Sequence, residues 1–403
     1  MPRETEPMKH ALSSLVALAL GALAVACGPS PGPADTPAAA PTSAPAPTSA
    51  SAPTSSAAPT SSPAQVRCSL EIARAHRRHP TMKAGDEEAC SRQCAAGDQG
   101  SCVALALLLL EGKLIAEDGG RGVKLIETAC TAGNAGACTH LGELSESGAG
   151  MPKNEQRASA LYTKGCDGGD LRGCTDLGAL LDEGRGASPD PARSAILFTK
   201  ACDGGDADGC YKLGVMVSQG KGVAQDLARA VNLFSGACDN GVLTACTKFA
   251  FQIEKGNGIG KDEARAATLY AKACDAGEFR ACELLGVMAN AGRGVSEDPA
   301  RAAALFTRSC DGGDTHGCVA IGRMLQDRRG VTRDVAKAVT LFEKACDGGY
   351  SVGCEILGDV LGQGRGVRQD RARAESAYTR GCALGDAACC QKAPKPQAAP
   401  KKP

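Results

Sequence analysis

The chain has 403 residues, with 45 Lys+Arg against 45 Asp+Glu, 22 cysteines, 5 Tyr, 7 Phe and no Trp. The even charge balance removes any bulk electrostatic argument for nucleic acid or for adsorption to a membrane. Cysteine usage this heavy is rare where thiols are kept reduced and points to an oxidising compartment.

In chain order, Met8-Lys9-His10 reads as a short basic region and Ala11–Ala26 as an apolar stretch too short to span a bilayer comfortably. It ends Leu23-Ala24-Val25-Ala26-Cys27, which resembles a bacterial lipobox. That resemblance implies a signal peptide over residues 1–27, cleavage before Cys27 and lipidation of Cys27. Gly28, where an Asp would retain the protein at the inner membrane, implies sorting to the outer membrane. Residues 28–65 are almost entirely Pro, Ala, Ser, Thr and Gly and read as a disordered tether. Residues 66–93 read as an N-terminal capping hairpin, in which Cys68 and Cys90 lie off the later repeat and could staple two helices. His76 and His79 form an HxxH, read as a solvated basic face because no cysteine or carboxylate cluster completes a metal set.

From Cys94 a cysteine pair separated by eight residues returns every 36 residues: Cys94/Cys102, Cys130/Cys138, Cys166/Cys174, Cys202/Cys210, Cys238/Cys246, Cys274/Cys282, Cys310/Cys318, Cys346/Cys354 and Cys382/Cys390. A fixed period of this size is the mark of a solenoid, whose units bury their apolar faces against their neighbours. One unit shows the logic. Leu213, Met216 and Val217 give the apolar face of a first helix, A. The Gly214 column holds only Gly or Ala, as a close approach of another helix would require. Gly220-Lys221-Gly222 ends helix A, and Asp226 is placed to cap a second helix, B. The Phe234 column carries seven of the twelve aromatics and is the main core position. The Gly241 column is glycine in all nine turns, as the end of helix B requires.

The pattern LGxxxxxGxGVxxDxxRAxxLFxxAC resembles the Sel1-like repeat, a relative of the tetratricopeptide repeat. The paired cysteines resemble its cysteine-rich subfamily, typified by the Helicobacter cysteine-rich proteins. The resemblance covers roughly residues 68–391 and implies an all-α, right-handed α/α superhelical solenoid whose A helices line the concave side. It also implies disulfides that tie helix B of one unit to helix A of the next. The expected organisation is eight repeats over 94–381, a truncated C-terminal cap over 382–391 and a disordered basic tail over 392–403. The expected cysteine scheme is nine such bridges, a Cys68–Cys90 bridge, a lipidated Cys27 and a free Cys389, although either Cys389 or Cys390 could take Cys382. Each bridge would contribute about 2–3 kcal/mol in the chain-entropy model, a substitute for the missing aromatic bulk.

Catalytic signatures are sparse. Relatives linked to penicillin binding and weak β-lactamase activity make Ser-x-x-Lys the motif of interest, and Ser218-Gln219-Gly220-Lys221 matches it. No Ser-Asp-Asn or Lys-Thr-Gly accompanies it, so it reads as coincidence. The CDGGD turns, such as Asp203 to Asp206, lack the closing glutamate of a calcium loop. No metal site and no cofactor are expected. The basic column Arg121, Arg157, Arg193, Arg229, Arg265, Arg301, Lys337, Arg373 recurs in every unit and reads as structural.

What varies between units is the helix A stripe at the positions of Tyr211, Val215 and Ser218. Tyr211, Val215, Phe251 and Val287 give it an apolar middle, and Asp182, Glu254 and Glu283 are expected to form an acidic rim. The expected function is a monomeric, lipid-anchored envelope scaffold, facing the periplasm or secreted, that binds an unknown envelope protein or peptide in its concave groove without catalysis. The alternative is a weak β-lactamase, or a penicillin- or peptidoglycan-fragment-binding protein.

Overall fold

The computed structural model describes residues 85–111 and 119–394, all within one unit, Ser62–Pro403. The lipobox with Cys27, the tether, Cys68, His76, His79 and Asp118 lie outside the described residues. The described residues form eighteen helices and no strand, each helix packing against the next in the chain. The sixteen helices from Gln99–Glu111 to Arg371–Ala383 are each 13 residues long and alternate as A and B, an α/α solenoid. A helices of successive units also touch one another along much of the array.

The local reasons are those of the sequence. In seven units the N-cap side chain of helix B, Asn154, Asp190, Asp226, Asp262, Asp298, Asp334 or Asp370, accepts the N–H of the residue three positions on. Helix A ends at a left-handed residue that is glycine in six units. Arg328 takes that conformation without being glycine, at φ 58°. The second loop glycine answers a different need. A Cβ at Gly222 would collide with the carbonyl of Pro191, the first residue of the preceding B helix, so this glycine lets one unit's loop lie against its neighbour's backbone.

The core is a ladder of B-helix aromatics. Tyr162, Phe198, Phe234, Tyr270 and Phe342 are each at most 2% exposed. The small column on helix A makes room for these rings. A Cβ on Gly214 would fall 2.8 Å from Phe234, and one on Gly178 would fall 2.7 Å from Phe198. The close partner is therefore a ring on helix B of the same unit.

Nine disulfides among the described residues join the end of each B helix to the start of the next A helix. They are Cys94–Cys102, Cys130–Cys138, Cys166–Cys174, Cys202–Cys210, Cys238–Cys246, Cys274–Cys282, Cys310–Cys318, Cys346–Cys354 and Cys382–Cys390. Their placement corrects one expectation. The apolar face of helix A is read in the sequence from the Leu213, Met216 and Val217 columns, without the cysteine three residues before Leu213, yet that cysteine is buried in most units. Cys102, Cys138, Cys174, Cys246, Cys282, Cys318 and Cys354 are all core residues, while Cys210 is half-buried and Cys390 exposed. On the B side Cys130, Cys166, Cys274, Cys310 and Cys346 are buried as well. Each bridge lies where two units meet, and packing there covers both half-cystines in five of the nine, Cys130–Cys138, Cys166–Cys174, Cys274–Cys282, Cys310–Cys318 and Cys346–Cys354. The half-cystines thus pack as apolar core in addition to restricting the unfolded chain, and they form no surface site.

Cys90 is also disulfide-bonded. Cys389 is free and buried, in the column where seven other units have Gly or Ala, and Gly381 stands opposite it to make the space. Burial, with Asp386 beside it, pushes the Cys389 thiol up to about 12, so it packs as an inert side chain.

Ion pairs between units mostly run in one direction. The acid lies in the earlier unit and the base in the later one for Glu127–Arg157, Glu146–Arg185, Asp182–Lys221, Glu254–Arg293, Asp275–Arg308, Glu343–Arg373 and Asp347–Arg380. Arg280–Asp314, at 3.8 Å, runs the other way. Exposed pairs are each worth under about 1 kcal/mol. Their common polarity matches acid to base at most of the junctions between units.

Candidate functional site

The variable stripe does not lie uniformly on an open face. In the Tyr211 column Thr139, Thr175, Thr247 and Val319 are buried, because this position faces the next unit. Tyr211 itself is half-buried, packs on the core, and its ring centroid lies 6.2 Å from that of Phe234. Burial raises the Tyr211 hydroxyl above the ordinary phenol range, opposed by a hydrogen bond with Thr244. The Val215 column is the more open one. Val215 and Val287 are half-buried, and Phe251 is exposed with the Lys255 ammonium 5.4 Å from its ring centroid.

The acidic rim is the part of the expectation that the structure overturns. Glu254 is only 4% exposed. Its carboxylate accepts the Tyr270 hydroxyl at 3.1 Å, the Arg293 guanidinium at 2.7 Å and the Lys255 ammonium at 2.9 Å. Burial works against the charge, but these three donors outweigh it and hold the Glu254 carboxyl below the ordinary range. Glu254 is a structural anion and not a rim residue. Glu146 repeats the arrangement with Tyr162 at 2.7 Å and Arg185 at 2.6 Å. Asp182 is paired with Lys221 at 2.7 Å. Glu283 is largely buried beside Arg280 at 3.3 Å, and burial raises its carboxyl above the ordinary range despite that partner. All three acids assigned to the rim are thus already engaged.

What the structure does bring together is Tyr211 and Val215. They line a cleft of about 130 Å³ between the A helices Leu171–Glu183 and Ala207–Gln219, with Ala179 as an apolar wall and the Asp182–Lys221 pair at its edge. Phe251 and Val287, one and two units further on, do not line it. Ser218 and Lys221 turn to other partners. The Ser218 hydroxyl donates to the Val215 carbonyl at 2.7 Å, while Lys221 holds Asp182.

Sequence reasoning passed over Asp176. Burial, then the neighbouring Glu143 carboxylate, pushes its carboxyl up to about 7, against the pull of Arg172. The signal was there in principle, as an acid in one unit and another on the facing helix of the next. Only the stacked geometry brings them within range.

Among the described residues no helix is long and apolar enough to cross a membrane, and no cluster of His, Cys, Asp or Glu is arranged to hold a metal ion. Fold and surface together define a helical-repeat scaffold, with disulfide-stapled units and a variable face on its A helices. The Sel1 repeat model matches residues 100–134, 135–170, 171–206, 207–242, 250–278, 280–314, 315–350 and 351–386, and the chain belongs to the Sel1 repeat family. Its disulfide-paired cysteines fit the Helicobacter-like cysteine-rich branch. Among solved structures it is similar to c5321, a protective antigen of uropathogenic Escherichia coli with the same repeat fold, at 25% identity and TM-score 0.58. That match covers 75% of this chain but only 65% of c5321, just under two thirds of its length. A Sel1 repeat protein from Oxalobacter formigenes is 20% identical with TM-score 0.54, over 60% of this chain and 96% of its own. Helicobacter pylori cysteine rich protein B is 29% identical over 34% of this chain and 97% of its own, with TM-score 0.27. No curated protein matches the chain.

Proposed function

We propose that this protein is a non-catalytic scaffold of the bacterial cell envelope that holds a protein or peptide segment along its A helices. One observation carries the reading. The apolar departures from the repeat fall on the A-helix row, where Tyr211 and Val215 pack only partly on the core and leave a cleft, and Phe251 stands exposed. A hot spot needs such anchors within a surface that excludes water. Nine disulfides support an oxidising, extracytoplasmic compartment. Anchoring through a lipidated Cys27 rests on the LAVAC motif, and placement at the outer membrane on Gly28 after it.

Glu254, Glu283 and Asp182 are already engaged within the protein, so charge complementarity to them does not select a basic partner. Apolar anchoring becomes the main term. The test is to isolate the partner by affinity capture from an envelope extract and to titrate it against Phe251→Ala and Val215→Lys. Each should weaken binding by about ten-fold or more while helicity is retained. Undiminished binding by both variants would remove the groove from consideration. Labelled penicillin should leave no covalent band, and a stoichiometric band lost in Ser218→Ala would replace this reading with the enzymatic one.

A further inference from the structure

We propose a second docking surface, distinct from the A-helix row: an arginine-edged cleft at the C-terminal end of the solenoid that takes an acidic peptide segment bearing an apolar side chain. The cleft, of about 620 Å³, lies between the B helix Val335–Asp347 and the loop that leads into Arg371–Ala383. Val339, Leu361 and Val367 supply apolar lining, and Arg368 and Arg373 stand at its margin.

The repeat itself shows what is unusual here. At the position of Arg368 the other units carry Ala116, Pro152, Ser188, Ala224, Gly260, Ser296 and Thr332, none of them charged. At the position of Arg371, which follows the lining residue Asp370 without itself lining the cleft, they carry Gly119, Glu155, Pro191, Leu227, Glu263, Pro299 and Val335, none of them basic. The repeat is built seven times without these arginines, so folding does not call for them. Arg373 belongs to the recurring column and is paired with Glu343 at 3.1 Å. Arg365, Arg368 and Arg371 are exposed and make no ion pair among the described residues. Arg365 occupies the position from which Arg185 and Arg293 reach a glutamate in the preceding unit, but that unit offers Gln326 instead. Arg333 adds to the group, since a Cβ on Gly366 would fall 3.2 Å from its Nη2.

Two features choose the occupant. The apolar lining is recessed between helices, where a flat bilayer surface does not reach, and no aromatic ring lines it for stacking a base. An extended peptide satisfies both requirements, with an apolar side chain in the cleft and carboxylates on the guanidinium rim.

The experiment is to pan a random dodecapeptide display library on the disulfide-intact protein and on Arg368→Glu. The wild type should enrich peptides with several carboxylates around an apolar residue, and the charge-reversed protein should not. Fluorescence anisotropy of an enriched peptide should show about ten-fold weaker binding to Arg368→Glu, and weakening with added salt. Filling the cleft with Ala336→Trp, at an exposed position, should also weaken it, whereas Phe251→Ala should leave it unchanged. Circular dichroism checks that each variant is folded. The proposal is overturned if no acidic bias emerges or if charge reversal leaves binding intact. It is equally overturned if phosphatidylglycerol vesicles, and not peptides, are what the arginines retain.

Discussion

Ser218 and Glu254 occupy the same place in successive repeats, and the two sites have nothing chemically in common. At Ser218 the core ring opposite is Phe234, which asks for nothing polar, and the hydroxyl simply caps its own helix at the Val215 carbonyl. At Glu254 the core ring is Tyr270, whose buried hydroxyl needs an acceptor, and Arg293 closes the site from the next loop. The rule extends along the chain. Tyr162 and Tyr378, the other two tyrosines of the column, donate to Glu146 and Asp359, each at 2.7 Å. A polar position on the A-helix stripe is therefore first a question about the ring beneath it, and only then about a partner.

The comparison breaks most severely if the Glu254 carboxylate is removed. Glu254→Ala should cost about 2–3 kcal/mol in urea unfolding with disulfides intact, because it strands a buried hydroxyl and a guanidinium. Ser218→Ala, at the equivalent place, should stay within about 0.5 kcal/mol. Equal costs at the two sites would mean that the stripe is uniform after all.

A smaller effect follows from building the second site into the first. Phe234→Tyr alone should cost about 1 kcal/mol by burying a poorly satisfied hydroxyl. Adding Ser218→Glu and Asn257→Arg, at the separations of 16 and 39 residues seen for Glu254 with Tyr270 and Arg293, should recover that loss. A triple variant less stable than the single one would show that the site depends on more than these three side chains.

The smallest effect concerns Asp176, which shares its repeat position with Lys212 at the edge of the Tyr211 cleft. Its carboxyl is raised to about 7, so the folded chain holds this proton more tightly than the unfolded one. Its contribution therefore favours folding at low pH and is lost as pH rises from the ordinary aspartate range through about 7. Asp176→Asn should raise the melting temperature at pH well above 7 and change little in the ordinary aspartate range. With the side chain part-exposed, the gain should stay below about 1 kcal/mol. A gain equal at both ends of that range would assign it to packing instead of charge.

The repeat was open to reading from the amino acids because its determinants are local and recur. Asp226 caps helix B, Gly241 ends it, Phe234 marks the core, and Cys202 and Cys210 fall where adjoining helix ends meet, all inside one repeat and the turn that follows it. Even the free thiol at Cys389 follows from the period, since Cys390 and not Cys389 keeps the 36-residue beat. Burial of the bridges was less legible, because Cys174 is covered from other helices than its own, by Cys166 at the end of the preceding B helix and by Ala201 on the following one. The stripe is another matter again. Whether Glu254 faces solvent or lies buried depends on Tyr270 and Arg293, which belong to its own helix B and to the next unit's loop. Spacing along one helix shows which residues share a face. It does not show what that face meets once the units stack. Glu254 is enclosed by Tyr270 and by Arg293 of the next unit, Asp182 meets Lys221 of the next loop, and Glu283 pairs with Arg280 on its own helix.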